Sequence, residues 1–184
     1  MMELYKAIAE RRSIRRYKED PVSTEVLDRI LEAAQWAPSW AHTQTPEVVL
    51  VDDVAMKTAL QATMPEFNPA YRAMLQAPIV AVFCAKKGRA GFKKGELASP
   101  RGNEWMIFDT GLVMQNFMLA AHAEGLATVC IGLFDYKKAA AVLGLPDDME
   151  VVTMTPLGQT EQEPNLPPRK AREKFAHYNG YTAG

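Results

Sequence analysis

Apolar positions recur along the chain at two spacings. Val26, Leu27, Ile30, Leu31 and Ala34 fall at helical spacing after Ser23, a good N-cap, and the run stops before Pro38, so an amphipathic helix is predicted there. Runs 48–51 and 79–84 are short, apolar and rich in branched residues, bounded by Pro46 and Asp52 and by Pro78 and Lys86, and they predict buried strands. Residues 54–63 read as helix, and 64–69 break that pattern with two prolines and Asn68. The longest helical pattern, 104–124, places Trp105, Phe108, Leu112, Gln115, Leu119 and Ala123 on recurring faces and is closed by Gly125. Residues 127–133 predict a third strand, 136–143 a helix opened by Asp135 and closed by Gly144, and 150–157 a fourth strand. Strands and helices alternate, which predicts a layered α/β or α+β domain.

Composition narrows the class. A chain of 184 residues with 48% hydrophobic side chains can bury a core without staples, so one domain over 1–184 is expected. The net charge of −1 argues against a general nucleic-acid binder, which carries a basic excess. Residues 1–16 are charged and helical in pattern, without the apolar core of a signal peptide, and the longest apolar run, 77–85, is far too short to span a membrane. A cytoplasmic protein with no membrane partner is expected. Cys84 and Cys130 lie in apolar runs and read as small buried thiols, not a disulfide framework. Residues 86–103 carry Lys86, Lys87, Arg89, Lys93, Lys94 and Arg101 among glycines, with few apolar anchors, and predict a mobile loop. The tail from Gly158, with Pro164, Pro167 and Pro168, reads as an extended arm of the kind that embraces a second subunit.

Three segments could carry chemistry. Arg11-Arg12-Ser13-Ile14-Arg15-Arg16-Tyr17 brings four guanidiniums and a hydroxyl into seven positions, which suits a phosphomonoester, although a solvated helix end is an equal reading of this cluster alone. Residues 37–46 form a polar and aromatic turn after a helix, and 124–134 end on Gly132, where backbone can approach a flat ring. His42, His122 and His177 are scattered without partners at metal spacing, so no metal is expected. Asp109 and Asn116 read as helix packing, Met106, Met114 and Met118 as core filler, and Trp105 and Phe108 as core residues. No Gly-rich dinucleotide fingerprint follows any strand.

In this order the three segments resemble the FMN-dependent nitroreductase family, and the similarity runs to Tyr178-Asn179-Gly180. The resemblance implies an α+β fold of three layers, with a central mostly antiparallel sheet flanked by helices and an extended C-terminal arm. It also implies a homodimer with FMN at the interface, passing hydride from NAD(P)H through flavin N5 to nitroaromatics, quinones or similar acceptors by ping-pong exchange. Arg11, Ser13 and Arg15 match positions that hold the phosphate, ribityl chain and pyrimidine edge, and Arg12 joins them. Ile131, Gly132 and Leu133 match the segment whose amides reach N5 and O4, and Arg169, with Lys170 nearby, matches a C-terminal phosphate ligand. Pro38, Ser39 and Trp40, with Gln44, match the turn that covers a neighbouring subunit's flavin. His42 stands where the family commonly has Asn, and Thr45-Pro46 where it has Pro-Trp. On this reading the flavin carries the chemistry and no protein nucleophile is needed. The basic loop 86–101 would attract the phosphate of NADPH, which neutralising Lys93 and Lys94 would test. Two other readings stay open at this point: a flavin-binding protein without turnover, and a module whose basic arm grips an anionic partner.

Overall fold

The computed structural model describes residues 2–181; Met1 and residues 182–184, the ends of the expected single domain, lie outside the described residues. The centre is β2 (Ile79–Lys86), buried along all but its last residue. A strand buried on both faces needs no polar alternation, which is why 79–84 reads as a continuous apolar run. Its alternate side chains feed two cores. Val80, Val82 and Cys84 pack with Leu60, Met74 and Ala139, whereas Ile79, Ala81 and Phe83 pack with Ile30, Ala34 and Phe117.

β1 (Pro46–Val51) and β6 (Met149–Gly158) flank β2, and β5 (Ala127–Thr128) pairs with β6, giving an antiparallel sheet of order β1-β2-β6-β5. One face is covered by α2 (Thr24–Gln35) and α5 (Glu104–Ala123), with the Phe117 ring edge-on to Phe83 at 5.3 Å. The other is covered by α3 (Val54–Gln61), α4 (Ala73–Gln76) and α6 (Tyr136–Val142). α1 (Leu4–Glu10) lies against α5. These three layers are the α+β arrangement expected.

Local chemistry sets the boundaries. Ser23 Oγ accepts from Val26 N, Asp53 Oδ1 from Met56 N and Asp135 Oδ1 from Lys138 N, each satisfying an N–H that the first helical turn leaves free. Gly125, at φ +79°, closes α5.

Four expectations are corrected. The third strand stops at Thr128, because continuing its register sets Val129 opposite Pro156, which has no N–H to give. Val129 N donates to Thr155 Oγ1 instead, and pairing resumes only where Ile131 exchanges both backbone bonds with Met154. Residues 86–103 are folded. β3 (Phe92–Lys93) and β4 (Glu96–Leu97) pair across Lys94 and Gly95, whose φ of +54° and +82° give the twist a two-residue hairpin turn needs. Ala98 N and Ser99 N both donate to Gly91 O, and a Cβ on Gly91 would meet Gly102 O at 2.3 Å, so the base of the hairpin closes tightly. Cys130 is exposed, since it sits where the chain leaves the ladder. Phe108 is 58% exposed, because the buried stripe of α5 runs through Met106, Thr110, Met114 and Phe117 instead.

Candidate active site

Beyond α1 the chain runs extended along the β5 edge of the sheet. Ser13 bridges Thr128, Ile14 N donates to Thr128 O, Arg15 N to Gln162 Oε1 and Lys18 N to Gln159 O. Thr160 Oγ1 donates to Arg16 O at 2.7 Å. The basic motif is therefore fixed from both sides, and its guanidiniums are presented by ordered backbone.

Arg11 is half-buried, and burial lowers its pKa first, followed by the charges of Arg12 and Arg169; Cys130 acts in the opposite sense. Residues 158 positions apart in sequence thus come within electrostatic reach. Among the described residues the ion pairs engage Lys18, Arg29, Lys86, Arg101 and Lys138, and none engages Arg11, Arg12, Arg15 or Arg169. Arg12 Nη1 donates to Ala9 O and Arg11 O at 2.5 and 2.7 Å, satisfying carbonyls at the end of α1, while its buried Nε has no partner among the described residues. Arg15 is exposed and reaches Ser13 O at 3.4 Å. Cations that lack ion-pair partners on one edge can hold an anion, and Glu10 is an acid that shares the cavity of Arg11 and Arg12.

Farther along the same edge, Ile131 is buried and Gly132 and Leu133 are exposed. The Tyr136 hydroxyl donates to Gly132 O at 2.5 Å and Asn68 Nδ2 to Leu133 O at 3.5 Å, so the two carbonyls are engaged. Their amides have no acceptor among the described residues. Phe67, 79% exposed, stands beside Asn68. The sequence marks Asn68 only as part of a break between two prolines, and nothing in it singles out Phe67.

Pro38, Ser39, Trp40 and Gln44 lie elsewhere. Their turn leads into β1, and Ser39 and Gln44 line a cavity of about 540 Å³ with Glu32 and Glu47. β1 and β5 are opposite edges of the sheet, separated by β2 and β6, so about 14 Å of sheet stands between them at ordinary strand spacing. The arginine motif, 131–133 and Arg169 share one edge; the turn belongs to the other. The turn is anchored by Asp109, 1% exposed on α5, whose two carboxylate oxygens each lie 3.0 Å from Trp40 N. Burial raises the Asp109 pKa, and the Trp40 amide pulls it back. An acid in the interior of an apolar helix was its only sequence signal. Asn116 Nδ2 donates to Ala33 O and packs α5 on α2, as the spacing predicts.

The model described as Nitroreductase family matches residues 8–159. This chain belongs to the nitroreductase family. Over 191 residues it is 29% identical to the protein of Bacillus subtilis strain 168 named FMN reductase (NAD(P)H), spanning 98% of this chain and 75% of that one. It is 31% identical over 181 residues to the Thermus thermophilus protein named NADH dehydrogenase, spanning 85% and 86%. The solved structure of the Vibrio harveyi NADPH:FMN oxidoreductase complexed with NAD+ superposes with a TM-score of 0.84 at 27% identity, covering 98% of this chain and 78% of that one. In this nitroreductase-family chain the matched span takes in the arginine motif, the turn and 131–133, while Arg169 and the arm lie beyond it. Among the described residues no helix is long and apolar enough to cross a membrane.

Proposed function

We propose that this nitroreductase-family protein is an FMN-dependent NAD(P)H oxidoreductase that reduces flat, electron-poor acceptors such as nitroaromatics and quinones, acting as a homodimer. The observation that carries the reading is the convergence of Arg11, Arg12 and Arg169, without a carboxylate partner, on the edge where Gly132 and Leu133 offer free amides. The donor set fits the group: an FMN phosphate of about −1.5 to −2 charges needs cations not already held in ion pairs, and Arg11, Arg12 and Arg169 are held in none among the described residues.

In this assignment Arg11, Arg169 and the Ser13 hydroxyl hold the phosphate, and Arg12 adds positive potential from behind while capping α1. Arg15 lies along the pyrimidine edge, where a guanidinium stabilises the negative charge that reduction brings to the ring. Gly132 and Leu133 would donate N–H bonds to the flavin's N5 and O4, and Ile131, bonded to Met154, holds this segment in place. Bound FMN supplies the capacity to accept hydride from reduced nicotinamide and to pass the electrons onward, so donor and acceptor use one open site in turn. Pro38, Ser39, Trp40 and Gln44 stand on the opposite sheet edge, and a second copy is what brings them over the ring. The exposed Leu166, Phe175, Tyr178 and Tyr181 of the arm give that association apolar surface to bury. Two unbridged cysteines accord with a cytoplasmic setting, where NAD(P)H is found.

The test is an anaerobic absorbance spectrum before and after NADPH, then NADH, followed by a nitroaromatic or a quinone. A flavin band that bleaches with the donor and returns with the acceptor is expected, with parallel double-reciprocal plots for ping-pong exchange. Protein that stays colourless after FMN is added overturns the reading.

A further inference from the structure

Asp109 carries a buried carboxylate that the reaction above leaves unused. Its neighbours along the same stripe of α5, Met106, Met114 and Phe117, pack without charge, so packing alone does not call for an acid there. Burial disfavours the ionised form. The donor it accepts from is specific, since both oxygens lie 3.0 Å from the backbone N of Trp40.

That N–H opens a strained turn. Ala41, His42 and Gln44 hold φ of +45°, +56° and +47°, a region that side chains with a Cβ disfavour. His42 N donates to Ser39 O, Thr43 N to Trp40 O and Gln44 N to Ser39 Oγ, so these bonds close the turn on itself and do not aim it. The turn is tied to the body of the protein near its opening by the Asp109 carboxylate and by Trp40 packed on Ala85, Ala90 and Met106, and at its far end by Lys86 N donating to Thr45 O. His42, the titratable group within the turn, is exposed, with Nε2 at 2.9 Å from Gln44 Nε2; no charged side chain among the described residues shifts Asp109.

We propose that Asp109 is a positioning residue, a carboxylate latch whose grip on the Trp40 amide sets where Pro38, Ser39, Trp40 and Gln44 meet the FMN held by a second copy. The proposal rests on the oxidoreductase reading above, and it assigns to an interior acid of one subunit a role in the other subunit's flavin affinity.

Asp109→Asn keeps an acceptor for Trp40 N–H but loses the charge; Asp109→Leu loses both. FMN binding is expected to weaken about threefold in the first and about tenfold or more in the second, the range spanned by hydrogen bonds to charged groups. Because the buried charge is unfavourable to the fold, Asp109→Asn should melt no lower than wild type at neutral pH. Affinity falls while stability holds, and a structural role would move the two together. If affinity stays within about twofold in both variants, or falls only in step with melting temperature, the proposal is overturned. The Trp40 amide resonance of the flavin-free wild type gives a second readout, which needs only the Asn variant should Asp109→Leu fail to fold. It should titrate with a midpoint above that of an ordinary aspartate and cease to do so in Asp109→Asn. Normal FMN binding with a Trp40 amide that does not titrate overturns the latch alone, whereas a wild-type chain that takes up no FMN overturns the oxidoreductase reading and the flavin half of the proposal together.

Discussion

Two stretches concentrate positive charge, and they are built in opposite ways. Residues 11–16 hold four arginines on a backbone strip bonded to β5 and to the segment after β6, and Arg11 is pushed below its ordinary pKa by burial and by Arg12 and Arg169. Residues 86–101 hold six cations on and around a closed hairpin, where Lys93 and Lys94 are exposed, Lys86 pairs with Asp148, and Arg101 pairs with Glu104. The hairpin has more charge, the strip more unmet demand for an anion. Exposed cations are already solvated and attract a ligand weakly, whereas half-buried, unpaired guanidiniums gain a partner they lack in water-poor surroundings.

Removing charge from the strip should therefore have the largest effect. Arg11→Ala is expected to weaken FMN binding about a hundredfold, since a hydrogen-bonded charge pair in a partly buried site is lost. Fluorescence titration of flavin-free protein with FMN measures this, and retention within about threefold would remove Arg11 from the phosphate site. Arg15→Ala should cost about tenfold in FMN affinity, because Arg15 is exposed. It should also lower the flavin reduction potential, read against a reference dye under anaerobic conditions. An unchanged potential would refute its place beside the ring.

Much of this contrast was legible in the residues themselves. The helix 24–35, the run 79–84 and the motif 11–17 are each signalled by local pattern, and each signal agrees with what the tertiary structure then requires. What was hidden depends on partners distant in sequence. The break after Thr128 follows from Pro156 on the facing strand, and the order of 86–103 from the approach of Gly91 to Gly102. Asp109 reads as packing until Trp40 N is found against it, and that Arg12 Nη1 also donates to the Ala9 carbonyl of α1 has no signal in the sequence. Spacing reports which face a residue takes; what meets that face is decided by the fold.

The hairpin half of the contrast is tested through the donor. Replacing Lys93 and Lys94 together by alanine should raise KM for NADPH about threefold and leave KM for NADH unchanged, the scale of exposed charge pairs. Added salt should erase the difference. If both donors weaken equally, the lysines act on a feature that NADH and NADPH share; if neither changes, the hairpin is only a solvated face.

The finest effect is on His122, which reports the potential of the strip from within. It lines a cavity of about 260 Å³ with Arg11, Arg12 and Glu10, and its Nε2 is buried without a partner among the described residues. Burial lowers its pKa first; Glu10 raises it, and Arg11 and Arg12 lower it further. Since the native value lies below the 6.5 of a free histidine, the unfolded chain binds the proton more readily between the two, and the His122 contribution to stability grows as pH rises through that window. A phosphate on Arg11 cancels part of the cationic push, so the His122 ring should titrate at higher pH with FMN bound than without, as followed by its NMR ring-proton shifts. Arg11→Ala should move the flavin-free titration in the same direction, and alanine at Lys93 and Lys94 should not move it at all. If the flavin-free and flavin-bound proteins titrate together, no phosphate sits on Arg11, and the difference between the two basic regions reduces to burial without a ligand.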